Sequence, residues 1–109
     1  MSVIDKIKSR ISSQPASFYV DEWETTIYCR PLTCGEMSDL QRKHPKFPSE
    51  MTGDAMVDLL IRKARDKDDN KMFTLEDKPI LLRESTTTVS SIVSRILSAQ
   101  ISVEEAEKN

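Results

Sequence analysis

The chain has 109 residues, of which 38% are apolar and 31% charged, with a formal net charge of -2 and a pI near 5.4. That size allows a modest core rather than a deep cleft under a separate lid, and an acidic balance argues against a general nucleic-acid binder. No apolar run approaches the roughly 18 residues of a membrane-spanning helix.

The opening stretch, "MSVIDKIKSRISSQP", is too charged and too periodic for a signal peptide. Within it Val3, Ile4, Ile7 and Ile11 fall at helical spacing and make one apolar stripe on a basic surface. Ser2 and Asp5 suit a capping arrangement at its start, and Pro15 ends it. Residues 1–14 are therefore expected as an N-terminal helix or arm, whose stripe is either packed or docks on a partner.

The segments "SFYVDEW" and "TTIYCRPL" are rich in aromatic and β-branched residues, which predicts two short strands of a hairpin over 17–32. The acidic residues from Asp21 to Glu24 mark its turn. A hairpin alone is unstable in water, so it must lie on helices or pair along an edge. Trp23, the only tryptophan, is expected as an anchor of the core or a lid over the helices.

After Leu32 the pattern changes. Thr33-Cys34-Gly35-Glu36 has the T-x-x-E spacing at which the Thr33 hydroxyl and Glu36 carboxylate each satisfy an orphan backbone N–H. Leu32 and Met37 flank that box as a hydrophobic staple. The helix it starts must stop before Pro45, and "KHPKFPSE" is expected as a stiff basic loop. A second helix is predicted from Ser49 or Thr52 to about Lys67. Ala55, Met56, Leu59, Leu60 and Ala64 form its apolar face, and Arg62, Lys63, Arg65 and Asp66 its wet side. "RDKDDNKMF" is a charged, solvated connection.

Further on, Thr74 or Asp77 caps a short helix carrying Ile80, Leu81 and Leu82, and Ser85 caps the last one. In that last helix Val89, Ile92, Val93, Ile96 and Leu97 repeat at i, i+3, i+4. The opposite face is mostly serine and threonine. Residues 33–101 thus form the helical part, and 102–109 an acidic, frayed tail. The expected architecture is one mostly helical α+β domain over 1–109: a small hairpin followed by three to four amphipathic helices.

Sequence chemistry gives no catalytic, cofactor or metal set. Cys29, Cys34 and His44 lack the paired spacing of a zinc site. At the helical rise per residue, His44 lies about 15 Å along the axis from Cys34, too far for a Cys–His couple. Two cysteines without an export signal read as reduced cytoplasmic thiols. Only two glycines occur, Gly35 and Gly53, so no glycine-rich phosphate loop exists. Adjacent acids such as Asp21 and Glu22 have no apolar setting that would suit acid–base work. The residues describe a binding module rather than an enzyme.

The run "DEWETTIYCRPLTCGEM", followed by "MFTLEDKPILLRESTTTVSSIVSRIL", resembles the tail assembly chaperones of long-tailed bacteriophages. Those proteins carry a tryptophan-containing turn, a strand ending in an R-P-L-T-like step, and an acidic first helical turn. Trp23, Arg30, Pro31, Leu32, Thr33 and Glu36 match here, and the resemblance covers roughly Tyr19 to Leu97; Cys29, Cys34 and Gly35 are not family hallmarks.

The resemblance implies a non-catalytic protein of the host cytoplasm, absent from the mature virion, that binds and solubilises the tape-measure protein during tail morphogenesis. It also implies a longer frameshifted form in some phages that recruits tail-tube protein. Shielding a long apolar helix needs complementary apolar faces. The candidates are Ile4, Ile7 and Ile11 in the first helix, and Val89, Ile92, Val93, Ile96 and Leu97 in the last. Met37, Met51, Met56 and Met72 offer adaptable contact area or core filling. Self-association is expected to add burial that a small charged chain lacks. No membrane or nucleic-acid partner is implied. The alternative reading is a small regulatory adaptor or DNA-associated protein, with the helices after Thr33 acting as a helix-turn-helix. A proline-rich connection from Pro45 to Pro48 is too stiff and long for that turn.

Overall fold

A computed structural model describes residues 2–11 and 14–99; the expected acidic tail over 102–109 lies outside the described residues. The fold is α+β and mostly helical. Helix α1 (Val3–Ile11) precedes an antiparallel hairpin, β1 (Ala16–Val20) and β2 (Thr25–Cys29). Then come α2 (Cys34–Lys43), α3 (Gly53–Lys63), the short α4 (Lys78–Leu81) and α5 (Thr86–Leu97).

In the hairpin Ala16 pairs with Cys29 and Val20 with Thr25. Asp21–Trp23 form one 3₁₀ turn, and Glu24 closes it at φ 48° and ψ 48°. The left-handed residue is thus a glutamate, which is why no glycine or asparagine marks the turn in the sequence. The second edge of β2 is covered from within the chain. Tyr28 and Arg65 exchange both backbone hydrogen bonds, each at 2.9 Å. Packing against the core and this short third pairing answer the instability of an isolated hairpin.

Side-chain caps set the helix starts. The Thr33 hydroxyl accepts from the Glu36 N–H at 3.1 Å, and Glu36 Oε1 accepts from the Thr33 N–H at 3.0 Å. Leu32 and Met37, on either side of this cap, pack against the core. Thr52 rather than Ser49 caps α3, Asp77 accepts from the Thr74 N–H ahead of α4, and Ser85 caps α5. At α1 the Ser2 hydroxyl accepts from the Asp5 N–H at 3.2 Å and itself donates to Asp5 Oδ2 at 3.0 Å.

Helix α3 is the centre of the core. Ala55, Met56, Val57, Leu59, Leu60, Ile61 and Lys63 are all buried, so the helix is covered almost all round. Val20 of β1, Ile27 and Cys29 of β2, Leu40 of α2, Phe47, Ala64, Leu81 of α4, and Val89, Ile92, Val93 and Ile96 of α5 complete the cluster. Two expectations change here. Val89, Ile92, Val93 and Ile96, expected to await a partner, are withdrawn from solvent in the core, and only Leu97 remains 37% exposed. The stripe that suits a partner helix is matched first by α3 of the same chain. Lys63, expected on the wet side, is 7% exposed. The loop at 44–52 is anchored rather than merely stiff, because Phe47 is buried and its carbonyl accepts from the Gln41 amide at 3.0 Å. Met56 is core, while Met37, Met51 and Met72 are half-buried against it.

Candidate interaction surface

The junction that carries the sequence signature is also an electrostatic joint. Glu36 Oε1, already bound to the Thr33 N–H, accepts from the buried Lys63 ammonium of α3 at 2.9 Å. Lys63 also reaches the Pro31 carbonyl at 3.4 Å. Burial pushes the Glu36 carboxyl up, but its hydrogen bonds from Thr33 and Lys63 outweigh this and leave it below the ordinary range. One carboxylate therefore caps α2 and neutralises a charge inside the molecule. Nearby, burial raises the Cys29 thiol against the opposing Lys63 charge. Cys29 is buried and Cys34 exposed, both as free thiols, and a raised thiol is a poorer nucleophile at neutral pH.

A second charged cluster ties α2, α3 and α4 together. Asp58 accepts from His44 at 2.7 Å, Lys43 at 3.1 Å and Lys78 at 2.8 Å, and Lys78 also meets Asp54 at 2.5 Å. Burial would raise the Asp58 carboxyl, yet bonds from Lys78, His44 and Lys43 hold it at about 2. Asp54 and Asp58 in turn hold the Lys78 ammonium well above the usual lysine range. His44, Asp54 and Asp58 offer ligand atoms within 4.8 Å of one another. The Lys78 ammonium sits on both carboxylates, so the cation of this cluster is the protein's own. Its effect is to clamp three helices.

Trp23 forms one wall of an open apolar groove. Its indole N–H donates to Glu84 Oε2 at 2.6 Å, and its ring meets Phe73 edge to face at 5.8 Å. That bond, with a second from the Ser85 N–H, lowers the Glu84 carboxyl. The groove has a volume of about 600 Å³ and is lined by Trp23, Thr25, Met72, Phe73, Ile80, Leu81, Arg83 and Glu84. Ile80 stands at its lip, 69% exposed. An indole held by a charged acceptor beside exposed aliphatic groups suits recognition of an apolar side-chain row. The sequence predicts Trp23 as an anchor of the core or a lid over the helices. It does not reveal the groove, because Phe73, Ile80 and Glu84 reach it from a distant part of the chain.

The apolar stripe of α1 is a second exposed feature. Val3 is 69%, Ile4 59%, Ile7 45% and Ile11 64% exposed, and no residue of α1 is buried. Thus Ile4, Ile7, Ile11 and Leu97 lie at the surface, and the rest of the expected set lies in the core. No described helix is long and apolar enough to cross a membrane.

No protein-family model and no curated protein matches the chain. Among solved structures, the fold is similar to that of the bacteriophage HK97 tail assembly chaperone. The TM-score is 0.60 at 16% sequence identity, over 86% of this chain and 96% of that one. At that identity the likeness is one of fold, and it is the fold that the Trp23-to-Glu36 signature implies.

Proposed function

We propose that the chain is a non-catalytic tail assembly chaperone that binds and solubilises the tape-measure protein while a phage tail is built. The observation that supports this most is the coincidence of two independent likenesses: the tryptophan turn and capped R-P-L-T junction, and a fold similar over 86% of the chain to a phage tail assembly chaperone. The surface fits the role. Exposed Ile4, Ile7, Ile11 and Leu97, with the groove at Trp23, offer apolar contact to a long helical client. In this reading the protein works in the host cytoplasm and is absent from the finished virion, and a frameshifted longer form brings tail-tube protein to the same client.

Co-expression with a phage tape-measure protein tests the proposal. Recovery of that product in the soluble fraction, bound to the chaperone, is the expected result. The DNA-associated alternative predicts instead a gel shift at moderate salt, and a clear shift without client capture replaces the proposal by that alternative.

A further inference from the structure

The Trp23 groove is apolar in its lining and acidic along its rim. The rim charge comes from the turn that carries the indole. Glu22 and Glu24 are the immediate neighbours of Trp23 in the chain, and Asp21 opens the same turn. All three are exposed, and none has an ion-pair partner among the described residues. Glu84, in the turn after α4, adds a carboxylate that is fixed in place, accepting from the indole N–H at 2.6 Å and from the Ser85 N–H at 2.7 Å. Arg83 is the one cation among the described lining residues. Turn and groove together hold four carboxylates against one guanidinium.

We propose that this groove takes a basic amphipathic helix of the client, a segment with an apolar row at i, i+3, i+4 and i+7 flanked by lysine or arginine. The acidic rim selects it over a neutral or acidic helix of equal hydrophobicity. Charge complementarity names the flanks, and the lining names the backbone form. Apart from Thr25, which pairs with Val20 in the hairpin, the groove is built from turns, a loop and α4. It offers no strand ladder to an extended segment, so the occupant must satisfy its own backbone N–H and C=O groups, as a helix does.

The receiving surface is set in advance. Trp23 is held by Glu84 and by its edge-to-face contact with Phe73, so little side-chain freedom is lost on docking. Apolar contact with Trp23, Phe73 and Ile80 supplies the affinity, and the rim supplies encounter rate and choice of partner. This assignment rests on the tail-assembly reading only for the identity of the client. A failed co-expression would remove that client. A failed peptide titration would remove the charge selection and leave the client standing.

The test titrates the full chain, at low micromolar concentration, with two tryptophan-free helical peptides of about 18 residues. Both carry the same leucine row, one with lysine and one with glutamate on its flanks. Trp23, the only tryptophan, reports occupancy by a blue shift of its emission. The lysine peptide should bind at least about tenfold tighter than the glutamate peptide at about 0.05 M salt, and the gap should narrow at about 0.5 M as the rim is screened. Glu22→Gln/Glu24→Gln should reduce the gap, and Ile80→Ser should weaken both peptides. These residues are exposed, so the variants keep the fold, as circular dichroism will verify. Equal binding of the two peptides overturns the proposal, as does a preference that Glu22→Gln/Glu24→Gln leaves intact. Binding that leaves Trp23 emission unmoved places the peptide elsewhere and also overturns it. Emission that moves with protein concentration alone, and with neither peptide, gives the groove to a second copy and overturns it too.

Discussion

Glu36 serves two helices at once, closing the cap of α2 and receiving the buried ammonium of α3. Removing the cap hydroxyl by Thr33→Ala should cost about 1 kcal/mol. Glu36→Ala should cost more, about 2–4 kcal/mol, because it also leaves the Lys63 charge buried without a partner. Lys63→Met, which removes the charge and keeps the volume, should be close to neutral and should rescue part of the Glu36→Ala loss. Urea denaturation of wild type, the three single variants and the double variant Glu36→Ala/Lys63→Met reads this order, and equal losses for Thr33→Ala and Glu36→Ala would remove Lys63 from the account. Asp58 makes a pH-dependent contribution. Its carboxyl lies at about 2 when folded and at 3.8 ordinarily. A depressed value stabilises above the ordinary value, and the contribution is lost as pH falls through the folded one. Asp58→Asn should therefore be less stable than wild type at pH 7 by about 1–2 kcal/mol, once solvent screening is allowed for. The gap should close between about pH 4 and pH 2, and thermal melts across that range measure it.

At the level of elements, α1 and α5 show why only part of the fold was legible in the sequence. Their apolar residues repeat with the same spacing, yet α5 is packed in the core and α1 buries nothing. Periodicity tells which face is apolar, not what covers it. The prediction that separates them is direct. Ile96→Asp places a charge at a fully buried site and should unfold the protein, whereas Ile7→Asp should leave the far-ultraviolet spectrum and melting temperature unchanged. The caps at Thr33, Thr52 and Ser85 were legible because each depends on residues three apart. The joints that shape the surface were not. His44 and Asp58 are separated by 14 positions, Glu36 and Lys63 by 27, and Trp23 and Glu84 by 61. No local pattern records such pairings. The Trp23 turn was visible as an acidic break in two strand-like runs, but its partner wall had to be seen in space.

For the whole molecule, the charges and the apolar surface divide the work. Buried and half-buried ion pairs hold α2, α3 and α4 to one another, while exposed apolar groups include the α1 stripe, Leu97 and the lip of the Trp23 groove, with Tyr19, Leu75 and Leu82 elsewhere on the surface. Separate apolar contact sites on a packed core suit the proposed sheltering of a long helical client. The variants that test this surface are those that keep the fold, so Ile7→Asp and Ile80→Asp replace any change in α5. The most direct measurement is the soluble fraction of the tape-measure protein co-expressed with the wild-type chain or with the double variant Ile7→Asp/Ile80→Asp, followed by pull-down. The account predicts a soluble client that co-purifies with wild type, and at least about a tenfold loss of capture with the folded double variant. A client that stays insoluble beside the wild-type chain, or that the double variant captures as well as wild type, would contradict it.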